Sequence, residues 1–384
     1  MIFDTHLKKI KDNKHIYNTV SKGNITCYFR GFFYCPGKRS GVDSINIFIN
    51  QYIQDGCIFF NEFYGAYHII LIDNRNDTIC FFTDNAGFCC FYYNVSNSIV
   101  SDSFLELSEA INSITPNYQA ITQFIHFNCI YSNDTICEEI VRTESTNYYI
   151  YENLYITSKD KNLLSLESSK KYRDMHSFME DAVYAAAGWK MAVVITGGTD
   201  SRTVLSHLYS LNVDFDFIIS GSEQMIDVQI AKEIADRMNK ILYISNEEVD
   251  MDNSDWMREL FLRTDGASGT FSRHRLHKKN KMLESLGFNL EYGGVSGELY
   301  KNSFLNHDFP FYSIGEVNKS KFYKMKIYPS NYGTKYLSER IVNQASKMEE
   351  NVICNLFDMD GGSKSKVYYR AGSRVMRYRM IALS

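Results

Sequence analysis

The sequence predicts two unlike halves: a β-rich domain of two packed sheets, then a doubly wound parallel α/β sheet. Three observations carry this. Short apolar or aromatic runs broken by Gly, Asn and Asp fill the first half. Alternating strand and helix patterns with short connections fill the second. Between them lies a polar segment, Thr157 to Lys171, which reads as a linker and leaves candidate domains of residues 1–156 and 172–384.

In the first half the predicted strands are Ile25 to Tyr34, Cys57 to Phe60, Tyr64 to Ile72, Ile79 to Thr83 and Phe88 to Tyr93. Turn residues separate them at Pro36-Gly37, Asp73 to Asn76 and Asp84 to Gly87. A helical stretch covers Ser44 to Gln54, and Thr115-Pro116 precedes a helix over Tyr118 to Phe127. Tyr148 to Ile156 reads as a closing hairpin.

The second half opens on its most informative stretch. Met191 to Ile195 is a buried strand, Thr196-Gly197-Gly198 a tight turn, and a helix follows with Val204, Leu205, Leu208 and Leu211 at helical spacing. The glycines let a phosphate approach backbone N–H groups at a helix N-terminus. Thr196 and Ser201 add hydroxyls, and Asp200 can hold the Mg²⁺ that travels with a nucleotide. Phe215 to Ser220 is a second strand ending at Gly221. Asp227 to Met238 is a helix with Val228, Ala231, Ala235 and Met238 on one stripe, and Ile241 to Ile244 is a third strand. Ligands of such sheets sit at the carboxyl ends of strands, so Ser220 and Gly221 should face the same crevice as the first loop.

The first loop resembles the S-G-G-x-D-S loop of the ATP pyrophosphatases, with Thr196 in place of serine. The chain as a whole resembles asparagine synthetase and its relatives, including β-lactam synthetase and lasso-peptide macrolactam synthetases. Phe63 to Asp73 is similar to that family's G-x-F-A…D strand, and Thr83 to Tyr93 to its R-D-x-x-G…Y-Y turn and strand. Ser101 to Leu105 and Asp134 to Ile140 match later landmarks in the same order. The resemblance implies a degenerate Ntn-hydrolase-like α+β sandwich, then an ATP-pyrophosphatase domain of the adenine nucleotide α-hydrolase-like kind. It also implies ATP and Mg²⁺ as cofactors.

Two departures shape the functional expectation. Glutamine-hydrolysing members carry cysteine directly after the initiator methionine, whereas position 2 here is Ile2 and the first cysteine is Cys27. The expectation is therefore no glutamine hydrolysis. The second departure lies in Glu291 to Tyr300, which resembles the family's second pyrophosphate loop, G-D-G-x-D-E. Gly294, Gly297 and Glu298 match, but Gly297 stands where aspartate is usual. Glu298 then becomes the carboxylate expected to share the metal with Asp200. The R-x-P-F motif that members usually carry near the end is not found here, so the expectation is that the pocket closes differently, or that the enzyme is incomplete or inactive.

Composition bounds the rest. The chain has 384 residues and a net charge of −4, which offers no global attraction to nucleic acid or an anionic membrane. No signal-peptide core and no membrane-length apolar run occurs. Nine cysteines without a C-x-x-C pair imply reduced thiols and a cytoplasmic protein. Cys89 and Cys90 read as strand core. Arg273 to Lys281 is the one dense basic cluster, either an anion-binding rim or a solvated helix face; a zinc site on His274 and His277 lacks a third ligand. Arg370, Arg374 and Arg377 would share a helix face, and Lys364 and Lys366 are candidate phosphate contacts.

The expected function is an amide-forming ligase that adenylates a small-molecule, sugar-acid or peptide carboxylate for attack by an amine or ammonia. Asp200 and Glu298 are its catalytic and metal carboxylates. Thr196, Gly197, Gly198, Ser201, Ser220, Gly221, Gly294 and Gly297 form the nucleotide cradle, and a protein partner would complete the site. The alternative is a non-catalytic scaffold of the same family that binds nucleotide or a partner. Other pyrophosphatase chemistry, such as tRNA modification, fits a slightly acidic chain without cysteine pairs poorly.

Overall fold

The computed structural model describes residues 2–5, 9–12, 17–94, 96, 99–127, 129–163, 175–246, 255–267, 270–294, 297, 316–327, 338–339, 343–344, 348–357 and 364–381. Among the described residues the chain is mixed α/β, with two antiparallel sheets and one parallel sheet. It divides into two compact units: Met1–Gly31 with Ala66–Asn162 and Glu298–Ser384, and Phe32–Gly65 with Leu163–Gly297. The chain thus passes between units more than once, and one crossing falls inside the polar segment marked as a linker.

In the first unit, β1 (Ile2–Asp4), β2 (Lys9–Asp12), β7 (Tyr92–Asn94), β8 (Ile99–Ser101) and β9 (Ile140–Arg142) form a sheet of order β2-β1-β8-β7-β9. The larger sheet uses β3 (Asn18–Lys22), β4 (Ile25–Tyr34), β5 (Tyr64–Asp73), β6 (Thr78–Thr83), β10 (Asn147–Glu152) and β11 (Tyr155–Asp160) in the order β11-β10-β6-β5-β4-β3; the end of β4 from Phe32 and the start of β5 to Gly65 belong to the second unit. One apolar cluster draws Phe3 and Val100 from the smaller sheet and Ile70, Phe81 and Tyr149 from the larger. Phe81 and Tyr149 stack at 5.4 Å. Burial of these rings is the main force holding the sheets face to face.

The structure corrects two predicted strands. Cys57 to Phe60 runs irregularly into a short helical turn, Phe60–Glu62, because Gly56 ends the preceding helix in the left-handed conformation and redirects the chain. In Phe88 to Tyr93 only the last two residues enter β7. The buried Asp84 carboxylate captures the N–H groups of Gly87, Phe88 and Cys89 at 2.7, 3.0 and 2.8 Å, so these cannot join a ladder. Cys90 is therefore core but not strand. Burial pushes the Asp84 carboxyl up, while those N–H groups and the Lys161 ammonium pull it down. β11 in turn takes Thr157 to Asp160 out of the supposed linker; an exposed edge strand needs no apolar face.

β4 and β5 approach unusually closely at two glycines. Gly65 has φ +119, and a Cβ there would lie 1.8 Å from the Phe32 carbonyl oxygen. Gly65→Ala should cost about 3 kcal/mol or more, since positive-φ strain and backbone overlap act together. Urea unfolding would read that loss, and an unchanged midpoint would contradict it.

The first unit also holds α2 (Phe104–Ala110) and α3 (Tyr118–Phe127), and the second holds α1 (Val42–Asp55), α4 (Met175–Ala185) and a parallel sheet of order β14-β13-β12-β15. Its strands are β12 (Met191–Val194), β13 (Asp216–Ser220), β14 (Leu242–Ser245) and β15 (Leu290–Tyr292). α5 (Thr199–Ser210) follows β12, and α6 (Ile226–Met238) follows β13. α7 (Asp255–Arg263) and α8 (Thr270–Ser285) precede β15. Alternation along the strands feeds two cores. Met191, Val193, Phe217 and Ile219 pack with Leu205, Leu208, Val228 and Ala231, whereas Ala192 and Ile218 pack with Leu283 and Phe288. Helices thus cover both faces, and the winding reverses at β12, the place where such sheets open a crevice.

Candidate functional site

β12 and β15 are parallel neighbours, with Val193 level with Tyr292, so their following loops leave the same sheet edge side by side. The first loop is closed by its own hydroxyls. Thr196 N–H donates to Ser201 Oγ at 3.2 Å, and the two hydroxyl oxygens lie 3.0 Å apart. Gly198 N–H donates to Thr196 Oγ1 at 3.1 Å, and Gly197 N–H to Asp227 Oδ1 at 2.9 Å. Both glycine amides therefore already hold an acceptor within the chain. The helix α5 starts at Thr199, and its N-cap, Gly198, has no side chain to cap its first turn.

The two glycines serve different purposes. A Cβ on Gly197 would come within 2.9 Å of both Asp227 Oδ1 and Ile230 Cδ1, so α6 needs glycine there. At Gly198 it would meet only Thr196 Oγ1, at 3.2 Å. Gly198 is the more open approach for an anion.

The second loop packs directly on the start of α5. A Cβ on Gly294 would fall 2.6 Å from Ser201 N and 2.7 Å from the Asp200 carbonyl carbon. One on Gly297 would fall 2.4 Å from Asp200 Cγ and 2.5 Å from Oδ2. The side chain of Asp200 occupies the volume that a side chain at 297 would need. Glu298 lies outside the described residues.

Ser220 ends β13 level with Ser245, and Gly221 N–H donates to the Ser245 carbonyl at 3.1 Å. Gly221 has φ +145, and a Cβ would strike Met225 Sδ at 2.7 Å. This tight turn delivers the N-terminus of α6, and with it Asp227, to the first loop. The sequence predicts a helix starting at Asp227 but gives that residue no role; its one signal is an acidic residue in the first turn after the second strand.

Among the described residues no group of three or more His, Cys, Asp or Glu could enclose a metal. Mg²⁺ accompanying a nucleotide asks for less: one or two carboxylates, with phosphate oxygens and water completing its shell. Asp200, in the first turn of α5, suits that chemistry.

Other candidates fare differently. In α8, Lys279 Nζ meets Glu291 at 2.6 Å, Lys281 pairs with Glu259, and His277 Nε2 lies 3.5 Å from Glu259. From α7, Arg263 meets Glu284 at 2.7 Å. Two glutamates, Glu259 and Glu291, thus meet part of the basic cluster, which therefore departs from a rim of unpaired cations. Burial lowers the His277 pKa, which favours its neutral form. Within the first unit, the helix Lys364–Ile381 carries Arg370, Arg374 and Arg377, and Arg374 Nη1 donates to the Asn355 carbonyl at 2.9 Å. The side chains of Arg377 and Lys366 lie outside the described residues. Burial pushes the Cys27 and Cys89 thiols up strongly and Cys80 to about 12, away from the thiolate a nucleophile needs.

A cleft of about 730 Å³ lined by Glu180, Tyr184, Trp189, Asp214 and Asp216 opens where β12 and β13 begin. It contains none of the loop residues. Ligands of parallel sheets gather at the opposite, carboxyl edge, so the two loops remain the stronger candidate. No helix among the described residues is long and apolar enough to cross a membrane. The chain matches no protein-family model and no curated protein.

Proposed function

We propose that this chain is an ATP-dependent, AMP-forming ligase of the asparagine synthetase-like kind, which joins a substrate carboxylate to an amine or ammonia. On this reading the parallel sheet is an ATP-pyrophosphatase domain and the antiparallel sheets a degenerate glutaminase-like sandwich. The observation that carries it is the pairing of two glycine loops at the carboxyl edge, with Gly294 and Gly297 packed on Asp200 and Ser201. A carboxylate oxygen attacks the α-phosphate of ATP, forming acyl-AMP and releasing pyrophosphate. The amine then displaces AMP to give the amide. Thr196 and Ser201 hold the loop's shape, and the first turn of α5 offers N–H donors to phosphate oxygens. Asp200 would hold Mg²⁺, which would offset charge on the departing pyrophosphate.

The nitrogen enters as an amine or free ammonia. Ile2 lies in β1, and burial disfavours thiolates at Cys27, Cys80 and Cys89. Glutamate release from glutamine is expected to stay at background while ATP is split; release that depends on this protein would overturn that part. The deciding experiment is AMP and pyrophosphate release against a panel of carboxylates and amines. AMP formation that depends on one carboxylate supports the ligase. One observation favours the second reading, a nucleotide-binding scaffold: the amides of Gly197 and Gly198 are already taken up internally. A scaffold would be protected thermally by ATP and return it intact.

A further inference from the structure

We infer that Asp227 is a positioning residue for the nucleotide loop, acting through its hydrogen bond to the Gly197 N–H; the inference rests on the nucleotide-binding reading above. Asp227 sits in the first turn of α6, where the partial positive charge of the helix N-terminus favours a carboxylate. It is exposed, yet one oxygen reaches across to the neighbouring strand's loop at 2.9 Å. The sequence arranges that reach twice over. Gly221 makes the turn tight enough to bring α6 up, and Gly197 has no Cβ to keep Asp227 and Ile230 away.

The consequence is a division of labour within the loop. With Gly197 N–H directed to Asp227 and Gly198 N–H to Thr196 Oγ1, the peptide planes before the helix are held in one orientation. That orientation leads directly into the first turn of α5, which carries Asp200. Phosphate binding would then require no reordering of the loop, which is the benefit of a preorganised site. Without the Asp227 oxygen, Gly197 N–H turns to water and the loop samples other shapes. Asp227 itself touches no reacting atom in this scheme.

Two variants separate this role from a general effect on stability. Asp227→Asn keeps an acceptor oxygen but loses the charge, whereas Asp227→Ala loses both. Hydrogen exchange at the Gly197 amide, followed by NMR, needs no nucleotide. It should be faster by about tenfold in Asp227→Ala and near wild type in Asp227→Asn, on the scale of one net hydrogen bond. ATP binding by the same proteins, followed by calorimetry, should weaken by about tenfold in Asp227→Ala and recover in Asp227→Asn. Unchanged Gly197 exchange in Asp227→Ala overturns the inference. So does faster exchange with unchanged ATP affinity. A wild-type protein that binds no ATP would instead overturn the nucleotide reading and the nucleotide part of this inference, while the exchange comparison still decides whether Asp227 shapes the loop.

Discussion

Asp200→Asn is expected to lower AMP formation by about a hundredfold or more while the fold persists, the scale of one lost contact to developing charge. The substitution is nearly isosteric. The contact that packs Gly297 against the side chain should survive, because Asn fills the same volume as Asp. What disappears is the negative charge at the start of α5 and, on the proposed reading, the hold on Mg²⁺ there. The loss should therefore appear in turnover, with far-UV circular dichroism and Tm close to wild type. Pyrophosphate release measured with saturating carboxylate and amine checks it. An Asp200→Asn protein with undiminished turnover would remove the two loops as the site of chemistry.

The parallel sheet was the most legible part of the chain. Its central strands β12 and β13 are largely buried apolar runs followed by glycine turns, and α5 and α6 carry clear apolar stripes, so period and punctuation agree there. Predicted Phe215 to Ser220 became Asp216–Ser220, and predicted Tyr118 to Phe127 was reproduced residue for residue. The N-terminal half was harder, since β1, β2 and β3 are short and carry too few alternations to signal themselves. Phe88 to Cys90 misled for a specific reason: β-forming composition lost to the hydrogen bonds of Asp84, a residue several positions earlier. In the candidate site, the hydroxyls and glycines could be named from sequence, but the destinations of their N–H groups could not. Asp227 lies thirty residues from Gly197. Only the parallel pairing of β12 with β13 brings the two together.

Gly297→Asp is the most telling substitution, because the family resemblance and the geometry expect opposite results. If Gly297 were simply a lost metal ligand, restoring aspartate should strengthen Mg²⁺ binding and raise AMP formation. The structure points the other way. The new Cβ would lie 2.4 Å from Asp200 Cγ and 2.5 Å from Oδ2, before any carboxylate is added. Two carboxylates cannot share that volume, and their like charges oppose each other as well. Asp200 must rotate away or the second loop must lift from α5. Gly297→Asp should therefore cost about 1–3 kcal/mol of stability, as overpacking does. It should also reduce AMP formation by about as much as Asp200→Asn, since the displaced carboxylate no longer faces the first turn of α5. A compensating change tests the cause. Adding Asp200→Gly to Gly297→Asp removes the obstructing side chain, so the pair should regain much of the lost stability, with a coupling of about 1 kcal/mol or more between the sites. Activity should stay low in the pair, because the carboxylate now projects from the loop rather than from the helix start. Higher AMP formation in Gly297→Asp with an unchanged Tm would show that the volume is open, and that Gly297 marks an erosion of the site rather than the space Asp200 requires.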